Sequence, residues 1–328
     1  MSESTLTLGY PDYAALIGYY LGYGRTSGNW TPDQQSDIDD CINAGLRQFY
    51  YPPTPLNQVN HEWSFLRPIT TLPIFSSLSI SGATWLASVA TFTTTQQIPT
   101  GSTVTVAGVT PTGYNGTYVV TGSTATTFTA ALTSNPGAFS VAGTVACNDY
   151  GLPDDFGGID GDFTYATADL ARNTIAVISE AVIRAYRQNS STITGRPRFA
   201  SVTPIANTGL TGQRFYASFW PNVNAAYTPS YRYKSLAPKI TASLPYPLGG
   251  SVHSDTILES MLHKAEILKN DGEDVHAANF MKRLAASIQH DRRLMAPEFY
   301  GYNGDKSDDS NQPRFSRTTN VTVNGVTY

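Results

Sequence analysis

Residues 100–132 read TGSTVTVAGVTPTGYNGTYVVTGSTATTFTAAL, in which apolar side chains alternate with threonine and other small polar residues. A period of two is typical of half-buried β-strands, and the Gly, Asn and Pro residues between the runs form turns. Strands are predicted in ATWLASVATFTT (83–94), VTVAGV (104–109), GTYVVTG (116–122), TTFTAAL (126–132) and FSVAGTVAC (139–147). Five to seven short strands at this spacing predict a small antiparallel sandwich of immunoglobulin-like type.

The same region lacks charge. From Pro68 to Asn148, 81 residues contain no Asp, Glu, Lys, Arg or His, although charged residues make up 14% of the chain. Twenty of the 81 are threonine. Exposed sheet edges are commonly protected by Lys and Glu, so we expect the edges of this unit to be covered or to pack against a neighbour.

The composition change predicts one domain inserted into another. Residues 76–147 form the inserted all-β unit, while 1–75 and 148–296 together form the host domain, and 297–328 form an extended C-terminal arm. Amphipathic helices are predicted at 11–22, 31–51, 254–268 and 273–294, and a short helix at EAVIRAYRQ (180–188), with strands at 162–167, 174–179, 198–205, 214–220 and 227–235. Thr31 and Gln34 have the spacing of a capping box for the second helix, and Ser251 or Ser254 can cap the helix at 254–268. The predicted apolar stripe of the last helix consists of Val275, Ala278, Met281, Leu284, Ala285 and Ile288. The predicted fold class is α+β, with N- and C-terminal helix pairs, a mainly antiparallel sheet and the inserted sandwich.

Composition excludes several classes of protein. A net charge of −4 argues against a general nucleic-acid binder. Cys41 and Cys147 are too few for a disulfide framework, and we expect two inert thiols. No apolar run reaches the length of a membrane span, and the N-terminus lacks the pattern of a signal peptide.

No catalytic, cofactor or metal site is predicted. The acidic turn with Asp154, Asp155, Asp160 and Asp162 lacks the glutamate that an EF-hand needs, so a solvated turn is expected. Histidines at 253, 263, 276 and 290 are spaced too widely for zinc on one helix face. Motifs such as GxSxG, the P-loop and HExxH are missing from the sequence, and an enzyme is not expected.

Tyrosine is abundant, with 20 residues. Its large apolar ring and polar tip suit both protein cores and protein interfaces. Six tyrosines crowd the first predicted helix pair: Tyr13, Tyr19, Tyr20, Tyr23, Tyr50 and Tyr51. Core packing and intersubunit contact both stay open, and we favour contact for some of them.

Four host segments resemble tailed-bacteriophage head-to-tail adaptor proteins, including the podoviral tail tubular protein A group. They are IDDCINAGLRQFYYPP (38–53), YGLPDDFGGIDGDFTY (150–165), TGRPRFASVTP (194–204) and GGSVHSDTILESMLHKAE (249–266) with LAASIQHDRR (284–293). The order helix pair, sheet, helix pair also matches that family. The stretch 100–132 separately resembles the immunoglobulin-like decorations of phage structural proteins.

The resemblance implies a structural virion protein, assembled in the bacterial cytoplasm and located in the neck. Such a protein forms a ring, with twelve copies expected, that docks on the portal protein and receives the next neck or tail component. DNA only passes through its channel, no membrane is involved, and the inserted unit is free to contact the capsid. The shorter adaptors lack this unit, so its role cannot be carried over.

Two groups of residues are predicted to make these contacts. The C-terminal arm is expected to reach the portal or a neighbouring subunit through Phe299, Tyr300, Tyr302, Arg314, Phe315, Arg317 and Tyr328. The acidic residues of the second helix either face the DNA channel or meet a neighbouring subunit; they are Asp33, Asp37, Asp39 and Asp40.

An alternative function is binding to a carbohydrate or host surface through the inserted unit. Sugar stacking would require exposed rings at loop tips, such as Trp85 and Tyr114. A virion hydrolase is a more distant alternative, because the sequence offers no convergent acid, base and nucleophile.

Overall fold

The computed structural model describes residues 4–52, 61–169, 173–190, 192–205, 212–269 and 275–295, and the backbone of 322–323 and 326–327. Its α-helices are α1 (Tyr10–Tyr20), α2 (Pro32–Tyr50), α3 (Glu180–Asn189), α4 (Ser254–Leu268) and α5 (Val275–Met295). Its strands are β1 (Ile69–Thr71), β2 (Leu78–Ile80), β3 (Gly82–Leu86), β4 (Val89–Thr93), β5 (Thr103–Ala107), β6 (Gly116–Ser123), β7 (Thr127–Ala131), β8 (Gly143–Gly151), β9 (Phe156–Ile159), β10 (Ala176–Val177), β11 (Thr194–Gly195), β12 (Phe199–Pro204), β13 (Phe215–Trp220), β14 (Asn222–Val223), β15 (Ser230–Ser235), β16 (Thr322–Val323) and β17 (Val326–Thr327). The α+β class is confirmed.

The neutral stretch forms a ladder of antiparallel strands. Only Ser81 separates β2 from β3 in the chain, and β2 pairs with β8 while β3 pairs with β4. The ladder continues from β4 to β7, β6 and β5, and β5 pairs with the other edge of β8. The predicted antiparallel strands are present, but the pairing by itself does not establish an immunoglobulin-like arrangement.

Neighbouring strands cover most edges of the ladder, which reduces the need for charged edge residues. Strands β4, β5, β6, β7 and β8 each have a hydrogen-bonded neighbour on both sides, whereas β2 pairs only with β8 and β3 only with β4 among the described strands. Threonines line the outer face and bond to each other across strands, with hydroxyl oxygens 3.3 Å apart in Thr105 and Thr117 and 3.0 Å apart in Thr121 and Thr129. The interior is apolar and includes Ile80, Phe92, Val104, Val106, Val120, Phe128 and Val145.

Strand β8 joins this ladder to the rest of the sheet. Its first residues pair with β2, with Leu78 opposite Val145, so the two ends of the predicted insert lie side by side. Its last residues pair with β13, with Ala217 opposite Tyr150. One buried apolar cluster runs from the ladder into the strands of the host part. The predicted boundary at residues 147 and 148 falls inside β8, and the division into 76–147 and a discontinuous host domain stays a prediction.

The remaining strands extend the same sheet and build a second, smaller one. Beyond β13 the order is β12 and then β10, whereas β15 pairs with β1 on one side and β9 on the other. Helix α3 lies where EAVIRAYRQ predicts it. The strand predicted at 162–167 is wrong, because Phe163 and Thr164 form only isolated bridges. The observed strand, β9, lies earlier in the chain, between Asp155 and Asp160 of the predicted acidic turn.

The four long helices pack around a separate apolar core. The predicted capping box starts α2: the Gln34 amide donates to the Thr31 hydroxyl at 3.3 Å, and the Thr31 amide donates to the Gln34 side chain at 2.9 Å. Helices α2 and α4 touch at Gly45, where a Cβ atom would lie 2.6 Å from the Cα of Met261. Ser260 donates a 2.8 Å hydrogen bond to the Gly45 carbonyl and fixes this close approach.

Two details of the C-terminal helices differ from prediction. Neither Ser251 nor Ser254 caps α4 through its side chain; a 3-10 turn precedes the helix, and the Ser254 hydroxyl accepts from the Leu8 amide instead. The apolar stripe predicted on α5 is only partly correct, because Leu284 is buried and Ile288 packs against the helical core, whereas Val275, Ala278, Met281 and Ala285 are exposed. The buried face consists of Phe280, Leu284, Ser287 and Asp291.

Polar residues can occupy that face because each has a partner. The Ser287 hydroxyl lies 2.8 Å from that of Thr256 on α4. Asp291 accepts hydrogen bonds from the Ser64 amide at 3.1 Å, from the Ser64 hydroxyl, and from His61 Nε2 at 3.0 Å. Hydrogen bonds offset the cost of removing such polar groups from water. The spacing of apolar residues in the sequence does not reveal that these polar positions are buried.

Replacing Phe128 with alanine tests the shared β core. Phe128 is fully buried and stacks on its cross-strand partner Phe92, with ring centroids 4.8 Å apart. We expect the free energy of unfolding to fall by about 3–5 kcal/mol, measured by urea denaturation. Because the core continues through β8 into the host strands, near-UV circular dichroism of the whole β part should be lost in one transition. Separate transitions for the ladder and the host sheet would contradict a shared core.

We predict that the buried His253 makes the fold less stable at acidic pH. Its ring is buried among Phe49, Trp63 and Phe65, and its Nδ1 has no hydrogen-bond partner among the described residues. Burial lowers the pKa of His253, and the nearby His290 adds to this, while Asp291 opposes it. The unfolded chain therefore takes up this proton first, and stability falls as pH drops below about 6.5. Urea midpoints at pH 8 and pH 5.5 should differ less in His253→Phe than in the wild type; equal differences would refute this origin.

Candidate interaction surfaces

The four acidic residues predicted on the second helix do not share one face. Asp33, Asp37 and Asp40 are spaced i, i+4 and i+7 and lie on one side of α2, whereas Asp39 lies toward α1. Asp33 and Asp40 are exposed, and no described cation forms an ion pair with either. These two carboxylates are available to a partner.

Asp37 and Asp39 are held by tyrosine hydroxyls. Tyr23 donates to Asp37 at 2.8 Å, and Tyr10 donates to Asp39 at 2.6 Å. Burial raises the pKa of Tyr10 to about 12, and the hydrogen bond to Asp39 contributes in the same direction. Asp39 also accepts from Gln35, one turn earlier on α2, at 3.1 Å. These two carboxylates thus tie the N-terminal segments to α2.

The crowded tyrosines divide between core and surface. Tyr13 and Tyr50 are buried in the helical core. Tyr19 and Tyr51 are 62% and 53% exposed, and Arg25 lies over the Tyr19 ring at 4.6 Å from its centroid. Only the exposed pair keeps enough free surface to serve as contact residues. All seven predicted arm residues, Phe299, Tyr300, Tyr302, Arg314, Phe315, Arg317 and Tyr328, lie outside the described residues.

A basic pocket lies beside the end of the large sheet. Arg196 and Arg198, two positions apart in the connection between β11 and β12, both line a cavity of about 590 Å³. Its other walls are neutral, and include Tyr165, Asn173 and Trp220. We call this cavity the arginine pocket.

The two guanidinium groups of the arginine pocket belong to the half of the twelve described arginines that form no ion pair. Carboxylates within 4.0 Å pair with Arg67, Arg184, Arg187, Arg214, Arg232 and Arg283. Neither Arg196 nor Arg198 forms an ion pair with a described carboxylate, and both are exposed. Their charge is therefore not neutralised within the described part of the chain.

Aromatic rings hold Arg196 in place. Its guanidinium lies 5.5 Å from the Tyr165 ring centroid and 5.4 Å from that of Tyr227. The Tyr165 hydroxyl donates a 2.6 Å hydrogen bond to the Pro197 carbonyl, which fixes the backbone between the two arginines. The sequence shows the two arginines as RPR within TGRPRFASVTP. Their spacing alone does not reveal that neither forms an ion pair with a described carboxylate.

A second cavity, of about 400 Å³, separates the helices from the small sheet. Tyr51, Trp63 and Leu236 supply much of its wall. Its charged residues are already paired, Lys234 with Glu62 and Arg67 with Asp160. This cavity offers apolar surface and no unpaired charge.

The acidic turn has a structural role, and its carboxylates do not converge. Asp154 pairs with Arg214, and Asp160 pairs with Arg67 and Arg232. The partners of the other two are hydrogen-bond donors: Tyr233 and Ser235 for Asp155, and the Val177 amide for Asp162. Within the described residues, no three His, Cys, Asp or Glu side chains come together as metal ligands. The turn therefore combines exposed carboxylates at Asp154 and Asp162, as a solvated turn predicts, with ion pairs and hydrogen bonds to protein groups.

The rings proposed for sugar stacking are engaged within the ladder. Tyr114 is 1% exposed and donates to the Gly137 carbonyl at 3.0 Å. Trp85 is half-buried, and its Nε1 donates to the Leu132 carbonyl at 2.7 Å. Tyr114 cannot stack on a sugar in this conformation.

Comparison with known proteins adds no family. The chain matches no protein-family model, and no curated protein is significantly similar to it. Among the described helices, none has the length and apolar character needed to cross a membrane.

Replacing single aspartates of α2 with asparagine distinguishes a carboxylate that stabilises the fold from one that is free to bind a partner. Asp39→Asn keeps the size of the side chain but removes the charged acceptor of Tyr10, so we expect a loss of about 1–3 kcal/mol in the free energy of unfolding. The neighbouring exposed Asp40→Asn is the matched control and should change it by less than about 0.5 kcal/mol. Urea denaturation measures both; equal effects would contradict the assignment.

Proposed function

We propose that this chain is a non-enzymatic head-to-tail adaptor of a tailed-phage virion. It forms a ring, with twelve copies expected, beneath the portal protein and joins it to the next neck or tail component. The observation that carries the proposal is the helical layer. Helices from opposite ends of the chain, α2 and α4, meet at Gly45, and strands supply the sequence between them. This is the order of elements in the adaptor segments that the sequence resembles.

The inserted unit is proposed as an immunoglobulin-like decoration carried by the adaptor. Its ladder leaves the host sheet through β8 and presents a neutral, threonine-rich outer face. Such a face can pack against a capsid or a neighbouring copy without the cost of burying unpaired charge. Contact with host carbohydrate is the weaker proposal, because Tyr114 is buried.

The remaining contacts are proposed from the same resemblance. The C-terminal arm, with Phe299, Tyr300, Tyr302, Arg314, Phe315, Arg317 and Tyr328, anchors the ring to the portal. The exposed acidic residues of α2 lie either at the DNA channel, where they repel the phosphate backbone, or at a subunit contact. The protein is then a neck component of the virion, assembled in the bacterial cytoplasm.

Electron microscopy of the purified protein with the portal protein of the same virus tests the proposal. We expect rings stacked on the portal, with twelve-fold symmetry. A chain lacking residues 297–328 should keep its circular dichroism spectrum and lose portal binding in co-sedimentation. Docking by the shortened chain would refute the role of the arm, and the failure of the full chain to form rings on the portal would refute the adaptor.

A further inference from the structure

We infer that the arginine pocket of one copy binds the acidic face of α2 in the neighbouring copy of this chain. The inference rests on the proposed ring, because it names the surfaces through which the copies meet. The two halves of the contact are Arg196 with Arg198, and Asp33 with Asp40.

The chemistry of the pocket selects an anion. The guanidinium-bearing residues Arg196 and Arg198 both line one cavity, so two positive charges lie at the same pocket. Arginine donors match the planar oxygens of a carboxylate, and the attraction is strengthened where neutral walls exclude water. Asp169 lines an adjacent cavity beside Tyr227 and forms no ion pair with either arginine. The charge of the pocket is therefore left for a partner.

The pocket is also organised before any partner arrives. The rings of Tyr165 and Tyr227 restrict the Arg196 side chain, and the bond from Tyr165 to the Pro197 carbonyl restricts the backbone. A restricted side chain loses less entropy on binding, which favours affinity.

The acidic surface that best fits lies on the chain itself. Asp33 and Asp40 lie on one face of α2, about 10 Å apart along the helix axis at 1.5 Å per residue. Neither forms an ion pair with a described cation. Asp37 lies between them and adds negative charge while it holds Tyr23. A protein carboxylate surface is favoured over nucleic acid because the chain as a whole is acidic, with a net charge of −4.

The contact must join two copies. Helix α2 belongs to the helical core, whereas Arg196 and Arg198 flank Pro197 at the start of β12, and no described ion pair links the two surfaces. When two different surfaces of one protein are complementary, copies associate head to tail, and the repeated contact closes into a ring if the rotation allows.

Charge reversal on each side, and then on both, tests the contact in the full chain. The variants are Arg196→Glu with Arg198→Glu, Asp33→Arg with Asp40→Arg, and all four changes together; Asp37 is left intact because it bonds Tyr23. Self-association is measured by sedimentation velocity at low and high salt, alone and on the portal protein of the same virus. Each two-site variant should weaken association at least tenfold, and the four-site variant should recover to within about threefold of wild type.

A matched control reverses another exposed arginine pair, Arg292→Glu with Arg293→Glu on α5. It should leave self-association unchanged, and unaltered melting temperatures would show that all variants fold. Wild-type rings that persist in both two-site variants would overturn the inference and leave the adaptor proposal standing. If the arginine variant weakens association and the four-site variant does not restore it, α2 is not the occupant of the pocket. The same conclusion follows if the arginine variant selectively loses binding to double-stranded DNA. Absence of wild-type rings on the portal would refute the adaptor, while rescue between the two variants in solution would still support the contact.

Discussion

Strand β8 is hydrogen-bonded to three other strands, and the architecture depends on that sharing. One edge pairs with β5, while the opposite edge pairs first with β2 and then with β13. The buried Tyr150 hydroxyl on β8 donates to the Phe75 carbonyl at 2.7 Å, at the entrance to the ladder. Because β8 belongs to both the ladder and the host sheet, neither part can shift register without the other.

Ion pairs anchor both ends of the neutral stretch. Arg67, the last charged residue before it, donates to Asp160 at 2.8 Å, and Asp149, the first after it, accepts from Arg187 at 2.8 Å. Asp149 also accepts from the Ser218 hydroxyl on β13. These half-buried pairs tie the stretch to β13, α3 and the segment after β9. The abrupt return of charge in the sequence thus coincides with the points where the ladder meets the host.

Prediction from sequence succeeded where the signal was local. The Thr31 and Gln34 capping box, α3 and the antiparallel strands of the neutral stretch all follow from short-range spacing, and all are confirmed. It failed where a polar side chain is buried by a distant partner. Asp291 on α5 is 1% exposed because Ser64 and His61 form hydrogen bonds to it from a distant part of the chain. A stripe predicted from apolar residues alone therefore misses part of the buried face of α5.

The sequence by itself determined the fold class, the capping box of α2 and the extent of the uncharged stretch, since each depends on residues close together in the chain. Only the tertiary structure decided how the ladder joins the host sheet, because the junction depends on Leu78 meeting Val145 across 67 positions and on Tyr150 meeting Ala217. The same holds for the candidate surfaces. Whether Asp40 is available while Asp39 is held, and whether Arg196 lacks a carboxylate, depends on which distant groups come within hydrogen-bonding distance. Such pairings are set by packing, and no spacing along the chain encodes them.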